Sequence, residues 1–266
     1  MELLPITYLF VPADRPDRFA KAMAAGADRV ILDLEDAVKP DAKPTAREAL
    51  KAADLDWSRV VVRINPVTTP FYADDIAAVA ATGAAGVMFP KAESADDVAA
   101  LRRAIGREIE VVPQIETALG LDQIDDILRA DGVRRVAFGH LDFAFDLGTS
   151  TDWDALTLIR QQIVWRSRVC GAGAPIDSVT PELTEDAVEA DAAKARSYGF
   201  GGKLLIHPKQ VEPTLAAFLP TEAEANWAQK VIDAVTSGGS GAITVDGRMV
   251  DKPVEDAARR ILATIR

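Results

Sequence analysis

Two carboxylates stand at the ends of two predicted strands: Glu116 closes EVVPQIE and Asp142 closes RVAFGHLD. If those strands are neighbours in one sheet, the pair converges on one face, and converging carboxylates raise one another's pKa unless a cation offsets them. With a single cysteine, Cys170, and no close histidine pair, the donors are all oxygen, which favours Mg2+ or Mn2+ over zinc. Other polar residues fall at predicted strand ends: Asp33, Glu35, Asp36, Arg63, Asn65, Lys91, Asp177, Lys203 and His207. Arg63 offers a planar fork that can grip a carboxylate or carbonyl oxygen by two hydrogen bonds, or pair with Glu35 or Glu116. Asp33, Asp36, Asn65, Asp177 and Lys203 read more simply as satisfied structural groups, and His140 and His207 as packed, hydrogen-bonded imidazoles. Asp251, in MVDKPVED just before Pro253, reads locally as a helix N-cap.

The elements that must position these residues are β-rich runs separated by alanine-rich helical patterns. The strands are ITYLFVP, RVILDLE, RVVVRIN, GVMFPK, EVVPQIE, RVAFGHLD, PIDSV and GKLLIHP. Most are apolar throughout, as parallel strands covered on both faces are. Strand and helix alternating eight times predict a (β/α)8 TIM barrel, whose reactive face lies at the strand C-termini. A doubly wound open sheet is the alternative, but VPADRPDRF stands where its glycine-rich phosphate loop would be. Ser94 with Asp97, and Thr221 with Glu224, read as capping boxes. The spacing predicts a barrel with its following helix over 1–236, then a hinged C-terminal arm or lid over 237–266. That arm comprises a flexible SGGSGA joint, a hairpin turned at Asp246 and Gly247, and a terminal helix.

At 266 residues and 48% hydrophobic the chain can bury a full core. The opening MELLPITYLFVP lacks a basic region and is broken by Pro5 and Pro12, which predicts neither a secretion signal nor a membrane span and hence a cytoplasmic protein. A net charge of −11 argues against sequence-independent nucleic-acid binding. Cys170 alone excludes an intramolecular disulfide framework.

Taken in order, LFVPADRPDRFAKA, DRVILDLEDAVKPDAKPTARE, VVRIN, IET, GHLDF followed by DLG, GKLLIHPKQV and DGRMVDKP resemble the citrate lyase beta-subunit-like proteins of the HpcH/HpaI aldolase superfamily, over essentially the whole chain. The resemblance implies a (β/α)8 barrel, commonly a homotrimer, that binds Mg2+ and breaks or forms the carbon–carbon bond beside a CoA thioester. Substrates of malyl-CoA, methylmalyl-CoA or citramalyl-CoA type would give an acyl-CoA and a 2-oxo acid. Carried over, it makes Glu116 and Asp142 the metal ligands and Arg63 the holder of keto-acid oxygens. Glu35 and Asp36 belong to the LED element beneath the metal. Asp251 becomes the acid/base group, delivered by the arm, often to an adjacent subunit. Lys39, Lys43 and Arg47 are candidates for the CoA phosphates. The chain departs from many relatives at Ala13, where glycine is common, and at His140 and Leu141, where the lyases often have a small and an acidic residue. The latter change leaves the acyl group open. Alternatives are a thioesterase in the same site, a citrate lyase beta subunit taking a carrier-bound thioester, an aldolase for free hydroxy-oxo acids, and a non-catalytic acyl-CoA binder.

Overall fold

A computed structural model describes residues 3–237 and 243–265. The expected flexible joint, apart from Ser237, lies outside the described residues. Eight parallel strands close into a barrel in chain order: β1 (Thr7–Pro12), β2 (Arg29–Asp33), β3 (Val60–Arg63), β4 (Gly86–Phe89), β5 (Glu110–Ile115), β6 (Ala137–Phe138), β7 (Ile176–Asp177) and β8 (Gly202–Leu205). Closure comes from β1, which pairs with β2 through Tyr8 and Arg29 and with β8 through Thr7 and Lys203. Helices α1 (Phe19–Met23), α2 (Lys43–Ala52), α3 (Tyr72–Ala80), α4 (Ala95–Ile105), α5 (Ala118–Asp122), α6 (Ile124–Arg129), α7 (His140–Leu147), α8 (Trp153–Val169), α9 (Glu185–Tyr198) and α10 (Val211–Phe218) lie between and after the strands. None of the helices in the described residues is long and apolar enough to cross a membrane.

Strand alternation explains the layering. Side chains two apart share a face, and each strand gives one residue to a buried cluster inside the barrel: Tyr8, Ile31, Val61, Met88, Val112, Ala137, Ile176 and Leu204. The opposite parity packs outward with the helices in the larger core. Asp177 and Lys203 have this outward parity. Lys203 Nζ is fully buried, donates to Asp177 at 2.9 Å and pairs with Asp191 of α9 at 2.6 Å, while Arg160 of α8 bonds Asp177 at 3.1 Å. Their reading as satisfied structural groups therefore holds.

One step below the inner cluster, Arg135 occupies the inward parity of β6 and fills the N-terminal end of the barrel. Its guanidinium donates to the Pro5 and Ala174 carbonyls and to the Tyr8 hydroxyl.

One local expectation differs in detail. Ser94 caps α4 by accepting from Asp96 N–H at 3.1 Å, but among the described residues Asp97 returns no bond. The Thr221–Glu224 box is complete, with Thr221 N–H donating to Glu224 at 2.8 Å and the hydroxyl accepting from Glu224 N–H at 3.1 Å. It opens α11 (Glu222–Ser237). The arm has the expected form: β9 (Ile243–Val245) and β10 (Arg248–Val250) pair antiparallel about Asp246 and Gly247, whose positive φ values of 47° and 77° suit a tight hairpin turn. Asp251 then caps α12 (Lys252–Ala263) by accepting from Val254 N–H at 3.1 Å. A small core of Ala228, Val231, Val245 and Ala258 joins α11 to the hairpin and α12. α11 thus packs with the arm.

Candidate active site

One step above the inner cluster, the same parity brings Phe10, Asp33, Arg63, Gln114, Gly139, Ser178 and Ile206 to the C-terminal mouth. All of them line one cavity of about 740 Å3. Glu116, two residues past Gln114 and just beyond the end of β5, joins them. Asp142 also lines this cavity, but from a different element than expected. The strand does not run to Asp142: β6 ends at Phe138, and Asp142 lies in the first turn of α7. Past Phe138 comes Gly139, where any Cβ would collide with the Glu116 carboxylate, and the helix that follows returns Asp142 to the same mouth.

Glu116 is almost fully buried. One carboxylate oxygen accepts from Gln114 Nε2 at 2.9 Å and the other from Lys91 N–H at 3.0 Å. Lys91 adopts a left-handed φ of 46° there, and its ammonium lies 3.2 Å from Asp142. Burial is the main force on Glu116, pushing its pKa up to about 7; Asp142 pushes the same way, against Arg63 and Lys91. Burial likewise raises Glu35 to about 9, with Arg63 opposing and Glu116, Asp36 and Asp33 adding repulsion.

Arg63 is held rather than free. Its Nε and Nη2 donate to both oxygens of Asp33 at 2.7 and 2.6 Å, and Phe10 packs against the guanidinium at 4.6 Å. The two-bond grip expected for a substrate is thus made with Asp33, not with Glu35 or Glu116. The remaining edge, Nη1, lies 3.0 Å from Glu35 Oε2 at an angle that leaves this buried oxygen without a hydrogen bond, and 3.9 Å from the exposed Asp36. Burial disfavours the Arg63 charge, but Asp33 and Glu35 outweigh it and hold the pKa above its usual value.

Two expected phosphate ligands face inward instead. Lys43 is buried and donates to the Leu34 and Glu35 carbonyls at 2.7 and 2.9 Å. Arg47 is buried against Asp75 at 2.9 Å, and Asp75 also accepts from Asn65 Nδ2 at 2.6 Å. These groups hold the loop carrying Glu35, and only Lys39 of the three is exposed. Basic side chains that line the cavity are Arg18 and Lys21, which are exposed around the first turn after β1. Nothing in the sequence ranked them above other surface cations. Asp251 is exposed and does not line this cavity. His140 is a packed imidazole: Nδ1 lies 2.6 Å from Ser178 Oγ, and burial, reinforced by Arg160, lowers its pKa to about 4.

Among the described residues no three His, Cys, Asp or Glu side chains form a metal cage by themselves. Glu116 and Asp142 supply oxygen only, Glu116 bears a charge that burial disfavours, and the buried Gln114 Oε1 beside it has no hydrogen-bond partner. A hard divalent cation that takes one or two carboxylates and keeps positions for other oxygens fits this set. Leu141, Val179, Leu204 and Ile206 add apolar lining to the same cavity.

Known proteins share this arrangement of sequence. A citrate lyase subunit beta-like protein of Mycobacterium tuberculosis (strain CDC 1551 / Oshkosh) is 37% identical over 263 residues, covering 96% of this chain and 93% of that one. A (3S)-malyl-CoA thioesterase of Cereibacter sphaeroides (strain ATCC 17025 / ATH 2.4.3) is 33% identical, covering 96% and 92%. The crystal structure of CitE from Mycobacterium tuberculosis, in complex with magnesium, acetoacetate and coenzyme A, matches with a TM-score of 0.87 at 37% identity, covering 98% of this chain and 97% of that one. Residues 7–208 match the HpcH/HpaI aldolase/citrate lyase family, and to that family this chain belongs.

Proposed function

We propose that this protein is a Mg2+-dependent carbon–carbon lyase, or synthase in reverse, for a short 3-hydroxy-dicarboxyl-CoA of malyl-CoA, methylmalyl-CoA or citramalyl-CoA type. One observation carries the reading: Glu116, Asp142 and Arg63 line a single cavity that Leu141, Val179, Leu204 and Ile206 also line. Glu116 and Asp142 would hold Mg2+, with Mn2+ as a substitute, and the ion when bound supplies Lewis-acid charge to the hydroxyl and carboxylate oxygens of the substrate. The complex of the Mycobacterium tuberculosis relative with magnesium, acetoacetate and coenzyme A supports this assignment.

Arg63, fixed by Asp33, turns its Nη1 edge to the 2-oxo acid. Glu35 and Asp36 sit beside that edge and orient it. In cleavage the hydroxyl passes its proton to water, its carbon becomes the carbonyl of the 2-oxo acid, and the bonding electrons pass to the α-carbon of the acyl-CoA. The apolar lining takes the acyl portion, and Arg18 and Lys21, with Lys39 beyond, take the CoA phosphates in place of the inward-facing Lys43 and Arg47. Asp251 gives the α-carbon its proton, or removes it in condensation. Because Asp251 does not line its own chain's cavity, we assign it to a neighbouring copy in a homotrimer, with the arm closing that copy's mouth. A cytoplasmic setting suits CoA chemistry.

The thioesterase relative supports a second reading, hydrolysis of the thioester in the same site. Incubating the three acyl-CoAs with enzyme, with and without EDTA, separates the readings by product. Acyl-CoA plus 2-oxo acid means carbon–carbon cleavage, and free CoA plus the intact hydroxy acid means hydrolysis. EDTA-insensitive turnover would refute the metal role.

A further inference from the structure

His207 lies just past the end of β8, beside Ile206, and lines the cavity. The turn that carries it is held from both sides. Gln210 Oε1 accepts from the Ile206 and His207 N–H groups at 2.9 and 3.2 Å, while its amide nitrogen donates to the Thr180 and Glu182 carbonyls at 2.8 and 2.9 Å. His207 Nδ1 accepts from Lys209 N–H at 3.1 Å. A ring nitrogen that accepts carries no proton, so the neutral imidazole holds its proton on Nε2. Backbone hydrogen bonding therefore fixes the tautomer as well as the position.

Among the described residues Nε2 has no protein partner. Other side-chain donors on the inner wall are engaged: Arg63 Nε and Nη2 by Asp33, with its Nη1 edge assigned to the 2-oxo acid, Gln114 Nε2 by Glu116, and Ser178 Oγ by His140. Arg18 and Lys21 are exposed cations at the rim. His207 thus presents a neutral, pre-oriented N–H beside Ile206, in the lining to which the acyl portion is assigned.

We infer that His207 is a further catalytic residue, whose Nε2–H donates to the thioester carbonyl oxygen. This inference rests on the lyase reading. When the carbon–carbon bond breaks, its electron pair spreads from the α-carbon onto that oxygen, and the hydrogen bond strengthens as the enolate charge grows. The proton stays on Nε2 throughout, so the step needs no other reactant. A preorganised donor aimed at developing charge favours the transition state over the ground state.

The test is kcat, KM and Tm for His207→Asn and His207→Gln in the Mg2+-loaded enzyme. Asn keeps an oxygen where Nδ1 accepts from Lys209 but removes the Nε2 donor; Gln reaches the Nε2 position with an amide N–H. We expect Asn to lower kcat about 10²- to 10³-fold, with KM, Mg2+ affinity and Tm unchanged, and Gln to recover part of the loss. A kcat within about threefold of wild type for Asn, or equal losses in both variants with a lowered Tm, overturns the inference. Exchange of acetyl-CoA methyl protons with D2O, followed by NMR, keeps the two ideas separable. If no 3-hydroxyacyl-CoA is cleaved but wild type catalyses exchange that Asn loses, the lyase reading fails and the His207 role stands. Exchange retained in Asn, or absent from wild type, overturns the His207 role.

Discussion

Arg135, buried, and Arg63, half-buried, lie at opposite ends of the same barrel, and each packs its guanidinium on an aromatic ring of β1, Tyr8 at 5.2 Å and Phe10 at 4.6 Å. They differ in what they bond. Arg135 gives its donors to neutral carbonyls and a hydroxyl at the N-terminal end. Arg63 faces Asp33, Glu35 and Asp36, with Glu116 close enough to raise its pKa further. One end closes the barrel; the other gathers more negative charge than its cations neutralise, and two of its carboxylates are raised to about 7 and about 9. The same residue type facing the barrel interior thus serves structure or chemistry according to the charges around it.

That contrast can be broken from either end. Glu116→Ala or Asp142→Ala should lower kcat by about 10³-fold or more, on the order of 4 kcal/mol of transition-state stabilisation. The Tm should hold, because each removes a repelling charge; steady-state kinetics beside thermal unfolding checks both. Arg135→Met should do the reverse, leaving barrel-floor carbonyls unsatisfied at a cost of about 3 kcal/mol in urea unfolding, with kcat preserved while the protein is folded.

A smaller effect follows from the raised carboxylates. The unfolded chain releases these protons near the ordinary carboxylate pKa of 4.5, and the folded metal-free protein only near 7 and 9. Between those values the folded state binds more protons, so its stability falls as pH rises. The Tm of EDTA-treated protein should therefore drop across this window, and Mg2+ should restore most at the alkaline end. A flat profile would show that the mouth holds no strained charge. The smallest effects belong to the rim. Arg18→Ala and Lys21→Ala should each raise KM for an acyl-CoA several-fold, about 1 kcal/mol for an exposed phosphate contact, while Lys39→Ala changes it less.

Much of this was legible in the chain. The eight strands stood out because parallel strands buried on both faces are apolar throughout, and the Asp246–Gly247 hairpin because its turn needs two positive φ values. Glu116, Asp142 and Arg63 do share one mouth. What escaped the sequence depends on partners far along the chain. Lys43 and Arg47 look like surface cations until Asp75, 28 residues after Arg47, is folded against the latter. Arg63 looks free until Asp33 is placed beside it. The β6 boundary was hidden because GHLD follows an apolar run, and only the folded chain shows that Gly139 has no room for a Cβ beside Glu116. Gln114, by contrast, was readable: it shares the parity of Glu116, two residues on.

The central claim is that Glu116 and Asp142 together hold a divalent cation. Calorimetric titration of Mg2+ into the wild type, Glu116→Gln and Asp142→Asn, repeated on both sides of the pH at which Glu116 ionises, tests it most directly. The account predicts one site per chain in the wild type, tighter as pH rises through about 7, and lost or greatly weakened in each variant. Undiminished Mg2+ binding in both variants would contradict it.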